Sequence, residues 1–233
     1  MRPRAHLPAL LLAIAIAGCD RSPPEPVFPA ADRPVAPIGS PGWTTEAARD
    51  QRREADRVMA AAGIAPGMTV ADLGAGEGYY TVRLAARVGP EGRVLAEDIL
   101  PQVRDRLARR VTHDALDNVS VRLGEPADPK LPENSFDRVM MIHMYHEIES
   151  PYEFLWRMRP GLRQGGQVIV VAADRPSAQH GMPPLQLVCE FVAVGFKLAK
   201  FQRLPESDAY LAAFAIDQPR PAPEAIRPCR IVR

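Results

Sequence analysis

Val70-Ala71-Asp72-Leu73-Gly74-Ala75-Gly76-Glu77-Gly78 decides the fold. A short apolar strand pattern ends in three alternating glycines, and GYYTVRLAARVG then reads as a helix stopped by Gly89-Pro90. A loop of this kind lets the backbone approach a ligand closely and turns helix N–H groups toward it. The spacing is not the dinucleotide fingerprint G-x-G-x-x-G, which would need a glycine where Tyr79 stands. Asp72, just ahead of Gly74, adds a carboxylate where a ligand amine could sit.

The same alternation continues outward. A helix is expected through EAARDQRREADRVMAAAG, capped by Thr44 or Thr45 and ended by Gly63. After the glycine loop come strand RVLAEDI, helix LPQVRDRLARRV, strand NVSVRLG, strand FDRVMMIHM, helix PYEFLWRMRPGL, strand GGQVIVVAAD and helix PPLQLVCEFVAVG. FKLAKFQRL and DAYLAAFAI close the series as two strands joined by a turn, which predicts antiparallel pairing. The order predicts an α/β fold with a doubly wound, mostly parallel seven-stranded sheet and an antiparallel terminal pair. Ligands of such sheets bind at the carboxyl ends of the strands.

Lys+Arg total 29 and Asp+Glu 28, a net charge of +1, which argues against a nucleic-acid partner because phosphate neutralisation needs a basic surplus. The 25 prolines are about twice the usual share of roughly 5%. Seven lie between Cys19 and Pro41 and four between Pro219 and Pro228. The composition divides the chain into a leader (1–18), a Pro-rich disordered tether (19–42), one domain (43–217) and a Pro/Arg-rich tail (218–233). Fully extended, the tether would reach on the order of 70 Å.

The glycine loop resembles motif I of class I S-adenosylmethionine-dependent methyltransferases, and the resemblance extends from about Trp43 to Ile216. Leu131-Pro132-Glu133-Asn134-Ser135-Phe136-Asp137 resembles the segment that leads into the family's fourth strand. Leu162-Arg163-Gln164-Gly165-Gly166 resembles the turn before its fifth strand, with Gln164 replacing the usual proline. The resemblance implies a Rossmann-like methyltransferase fold, S-adenosylmethionine as cofactor and a small-molecule methyl acceptor. It places Asp72, Gly74, Ala75, Gly76 and Gly78 at the cofactor. Asp98, with Glu97 as the close alternative, falls where the family binds the ribose hydroxyls. Glu125 or Asp128 falls where an acid faces the adenine amine, although Pro126 interrupts the usual stretch. His143 sits where the cofactor's amino-acid part passes, and Trp43 with the charged helix after it would cap the pocket.

Catalysis in this family is largely positioning. His146 or Glu147 could deprotonate a hydroxyl or amine acceptor, and Tyr145 could shape the pocket. Local hydrogen bonding at the start of a helix is the competing reading for Tyr145 and His146. No metal site is expected: His143, His146 and Glu147 lack the i, i+4 zinc spacing, and His180 is distant in sequence. The basic run Arg104, Arg106, Arg109 and Arg110 reads as a solvated face, and Met140, Met141 and Met144 as packing.

Before the domain, Arg2 and Arg4 precede a short apolar run, Leu7 to Ala17. Ile16-Ala17-Gly18-Cys19 resembles the lipobox of bacterial lipoproteins, in which the cysteine is lipidated and becomes the mature N-terminus. The resemblance implies membrane attachment through Cys19 on the periplasmic side, with Asp20 favouring the inner membrane. Ordinary secretion or a cytoplasmic location are the alternatives. Export raises a supply problem for a cytoplasmic cofactor, so a non-catalytic module binding a nucleoside-like ligand or an envelope partner stands as the alternative function. Cys189 reads as a small core residue and Cys229 as part of the tail, with a disulfide as the lesser expectation.

Overall fold

The structure is a computed structural model that describes residues 25–39, 45–205 and 207–230. The leader, Cys19, Asp20, Trp43 and Thr44 lie outside the described residues. Strands β1 (Thr69–Leu73), β2 (Arg93–Asp98), β3 (Val119–Leu123), β4 (Phe136–Ile142), β5 (Leu162–Ala173), β6 (Phe196–Arg203) and β7 (Ala209–Ile216) form one sheet. Their order is β3-β2-β1-β4-β5-β7-β6. The first five run parallel, and β7 lies antiparallel to both β5 and β6. The expected fold class is therefore the observed one. The chain reverses its direction of winding between β1 and β4, and such a switch point opens a crevice at the strands' carboxyl ends.

Helices α1 (Glu46–Gln51), α2 (Glu54–Ala61), α3 (Tyr79–Val88), α4 (Pro101–His113), α5 (Pro151–Met158) and α6 (Pro184–Ala193) cover the sheet. The interior strand β5 is buried on both faces from Val168 onward, as a sheet between helix layers requires. Val168, Val170 and Ala172 pack with Tyr152, Leu155 and Phe191 of α5 and α6. Ile169 and Val171 face Val58, Leu84 and Val88 of α2 and α3. The edge strand β6 is exposed along most of its length, and its Lys197, Lys200 and Arg203 discourage pairing with another chain.

The helix expected over residues 46–63 is broken. Arg53 takes a left-handed backbone, φ 51°, and separates α1 from α2. Across the break, Arg49 reaches Glu54 at 2.6 Å and lies 3.7 Å over the Tyr79 ring. Arg83 pairs with Asp50 at 2.6 Å, and Arg110 pairs with Glu46 at 2.6 Å. These contacts hold α1 over the carboxyl ends of the strands.

The two proline-rich ends differ from the free spacer and loose tail that their composition suggests. Arg33 forms an ion pair with Glu190 at 2.8 Å, with both side chains buried, and Ala36 N–H donates to the His146 carbonyl. Phe28 meets Trp156 edge-on, and the Trp156 indole N–H donates to the Pro221 carbonyl at 2.8 Å. Ile226 and Cys229 are buried, and Arg230 pairs with Asp32 at 2.9 Å, joining one end to the other. Extended proline-rich chain docks here through its carbonyls and a few side chains, which a periodicity argument does not register.

Cys189 is bonded to Cys229. This corrects the expectation of an unpaired core thiol: the docked tail brings the two residues together across 40 positions of sequence. Chain-entropy arguments put the stabilisation from a loop of that size at about 2–4 kcal/mol. Reduction, or a Cys189→Ala/Cys229→Ala pair, should lower the melting temperature accordingly and release the tail first. Limited proteolysis after Ile216 with and without reductant checks this. Among the described residues no helix is long and apolar enough to cross a membrane.

Candidate functional site

At the carboxyl ends of β1, β2 and β4 lies a cavity of about 930 Å³. The glycine loop forms its floor. Gly74, Gly76 and Gly78 all have positive φ, 66°, 57° and 90°. A Cβ at Gly76 would meet nothing within 4 Å and would project into open space, so the missing side chain helps make the room a ligand needs. Ala75 N–H donates to the Glu97 carbonyl at 2.9 Å and locks the loop to the end of β2. Gly78 begins α3.

The acids behave differently from one another. Asp98 accepts from Gly76 N–H at 3.0 Å through Oδ2 and from Leu100 N–H at 2.9 Å through Oδ1. Asp72 is buried and accepts from the Thr81 hydroxyl at 2.7 Å. Burial pushes its carboxyl up to about 6, opposed by that hydrogen bond. Glu97 lines the cavity as well, and burial, followed by the neighbouring Asp98 charge, pushes it up to about 8. A carboxyl protonated at neutral pH is a hydrogen-bond donor, whereas Asp98 offers acceptors.

Glu97 carries a stability prediction. Its folded value is raised above the ordinary 4.5, so its contribution is fully present below that value. The contribution is lost as pH rises toward about 8, with a slope of up to about 1.4 kcal/mol per unit. Denaturant titrations between pH 5 and 9 should show this fall in the wild-type chain. A Glu97→Gln variant, which carries no titrating proton there, should lack that component.

Glu125 and Asp128 do not reach the cavity. Glu125 is exposed and ion-paired with Lys130, and Asp128 accepts from Lys130 N–H at 2.8 Å. Pro126 lines the cavity between them. Neither carboxylate lines this wall: Glu125 turns to the Lys130 ammonium, and Asp128 to the Lys130 backbone, with Arg157 3.9 Å away.

The expected catalytic trio divides. Glu147 lines the cavity. Tyr145 and His146 are buried but point elsewhere. The Tyr145 hydroxyl donates to Glu190 at 2.8 Å, and burial holds it well above its ordinary value. Tyr145 thus fixes the loop after β4 to α6. The His146 ring sits edge-on to His180, with ring centroids 5.4 Å apart, and burial pulls it down to about 4. His143 lines the cavity with a left-handed backbone, φ 56°, and burial keeps it below its ordinary value.

Other residues complete the walls. Arg49, Glu54, Tyr79 and Tyr80 form a linked group beneath α1 and α2, with the Tyr80 hydroxyl donating to Glu54 at 3.0 Å. Arg175, after β5, pairs with Asp208, before β7, at 3.3 Å. The sequence marked the charged N-terminal helix, which holds Arg49 and Glu54, as a cap but not Tyr80, Arg175 or Asp208, whose partners lie far away along the chain.

Comparison with known proteins agrees with this geometry. Residues 70–166 match the family model described as a methyltransferase domain. The arsenite methyltransferase of Halobacterium salinarum is 32% identical over 112 residues, covering 47% of this chain and 28% of that protein. The demethylmenaquinone methyltransferase of Symbiobacterium thermophilum is 31% identical over 112 residues, 48% of this chain and 45% of that one. The chain thus spans less than half the length of these curated relatives. A solved S-adenosylmethionine-dependent methyltransferase from Aquifex aeolicus superposes with a TM-score of 0.65 at 20% identity, over 74% of this chain and 98% of that one. Residues 70–166 are thus similar in sequence to methyltransferase domains, and the chain shares its fold with a solved S-adenosylmethionine-dependent methyltransferase.

Proposed function

We propose that this chain binds S-adenosylmethionine in the cavity and transfers its methyl group to a small-molecule acceptor, while anchored to a membrane through Cys19. The observation that carries the first part is the floor: three left-handed glycines ending β1, linked by Gly76 N–H to the Asp98 carboxylate at the end of β2. Asp98 has the acceptors for ribose hydroxyls. Glu97 has a proton to donate at neutral pH, and Ile99, Leu100 and Val103 supply an apolar wall for a base. Asp72 and His143 flank the loop where the amino-acid part would lie. The volume falls in the usual range of small-molecule sites and supports a low-molecular-weight acceptor.

The cofactor, when bound, supplies a methyl group already activated on a sulfonium. This chain's residues need to orient the acceptor, exclude water and, where the acceptor carries a proton, receive it. Glu147 is placed to accept that proton from the cavity side. The helices α1 and α2 cover the opening, held by the Arg49–Glu54 and Arg83–Asp50 pairs.

Attachment rests on the lipobox resemblance at Cys19, and Asp20 favours the inner membrane. The Cys189–Cys229 disulfide supports a compartment outside the cytoplasm. Because Phe28 is docked, the chain between Cys19 and the domain can span at most about 30 Å, not the 70 Å of a free tether. The domain would then work close to the lipid surface.

Transfer of labelled methyl from S-adenosylmethionine into small molecules of an envelope extract tests the activity. Incorporation by the wild-type chain, lost in Asp98→Ala, is the expected result. Binding without incorporation from envelope or whole lysate would favour a non-catalytic ligand-binding module. A Cys19→Ala variant should leave the membrane fraction, and wild-type protein found in the cytosol with an intact N-terminus would contradict the anchoring.

A further inference from the structure

We propose that His146, Glu147 and His180 form a binding site for a divalent transition-metal ion at the wall of the cavity. The three come from two loops at the carboxyl ends of neighbouring strands, the turn after β4 and the turn after β5. Each offers one ligand atom, and these atoms all lie within 4.8 Å of one another. His146 Nε2 stands 3.8 Å from Glu147 Oε1. Ligand atoms around a tetrahedral zinc at roughly 2.0–2.1 Å lie about 3.3 Å apart, so rotamer adjustments of about an ångström or less per side chain would close the set.

The second observation is the state of His146. Its side chain is 1% exposed, and neither ring nitrogen has a hydrogen-bond partner. Leaving a buried polar group unpaired is costly, and native structures rarely do so without a reason. A metal ion satisfies a lone pair that no protein donor reaches. Two imidazoles and one carboxylate are a donor set that suits zinc or cobalt, and three protein ligands leave a position open. The neighbouring positive groups are already neutralised, Arg33 by Glu190 and Arg175 by Asp208.

Glu147 lines the cavity, so an ion held with it stands at the acceptor side of the wall. It would bind an acceptor's oxygen or sulfur and stabilise the deprotonated form. That role rests on the methyl-transfer reading, but metal binding itself does not. The sequence reading named these residues and set them aside, because they lack the usual zinc spacing and His180 stands far from His146 along the chain.

The test is titration of the metal-free full-length chain with Co²⁺, followed by visible absorption, with Zn²⁺ in competition and no cofactor added. The expected result is one ion per chain with a Kd in the micromolar range or below, about 8 kcal/mol or more of binding free energy. His180→Ala and Glu147→Gln should each weaken binding by more than ~10-fold, with melting of the metal-free variants showing that they fold. Cys19→Ser should leave affinity unchanged. No saturable binding by wild type at about 100 µM metal would overturn the proposal. So would equal affinity in the His180 and Glu147 variants, or loss of binding in Cys19→Ser. Cofactor affinity is read separately, so failure of this site leaves the methyl-transfer reading standing.

Discussion

Replacing Arg33 by alanine is expected to destabilise the folded chain by about 3–5 kcal/mol. The Arg33 side chain is 4% exposed and its partner Glu190 is fully buried. Glu190 also accepts from the Tyr145 hydroxyl and from Gln186, each at 2.8 Å. Those donors do not compensate a whole buried charge once the guanidinium is gone. Arg33 further donates to the carbonyls of Tyr145, His146 and Ile148, each at 3.4 Å, so the loop after β4 loses its clamp. For a domain of this size the melting temperature should fall by roughly 10 °C or more. An Arg33→Met/Glu190→Gln double variant, which removes both charges, should recover most of the loss. A change below about 1 kcal/mol in Arg33→Ala would mean that the proline-rich segment is not docked as described.

The second large effect is expected at Gly78. Its φ of 90° is one that side chains rarely adopt, and a Cβ there would lie 2.6 Å from Cδ1 of the fully buried Leu107. The left-handed backbone costs about 1–2 kcal/mol for alanine, and overpacking adds about 1–3. Gly78→Ala should therefore lose about 2–5 kcal/mol and misplace the start of α3. Gly76→Ala is the informative contrast. Its Cβ meets no protein atom, so stability should fall by only about 1–2 kcal/mol, while ligand affinity should drop because the methyl occupies the cavity. Thermal melts and ligand titrations on both variants separate the two effects.

What could be read from the sequence was local. The strand, glycine loop and helix are contiguous, and Asp98 ends the next strand, so their meeting follows from the winding rule alone. The same rule brought Glu125, Asp128, Tyr145 and His146 to the correct end of the sheet. It could not say which way they turn. Lys130 and Arg157 draw the first two outward, and Glu190 and His180 hold the other two behind the wall. Glu190 was hidden in an apolar helix pattern, and its partner Arg33 in a segment that looked unstructured. The break at Arg53 was equally invisible, since most of the ion pairs and ring contacts around it are made with α3 and α4. Both chain ends illustrate the same limit: proline content excludes helices and strands but says nothing about docking.

The central claim is that the cavity over the glycine loop holds S-adenosylmethionine. Isothermal titration calorimetry of the intact, oxidised chain with S-adenosylmethionine and S-adenosylhomocysteine tests it most directly. One-to-one binding with a Kd below about 100 µM, weakened at least ~10-fold by Asp98→Ala, is the predicted result. No heat of binding for either ligand at about millimolar concentration, from protein that melts cooperatively, would contradict it.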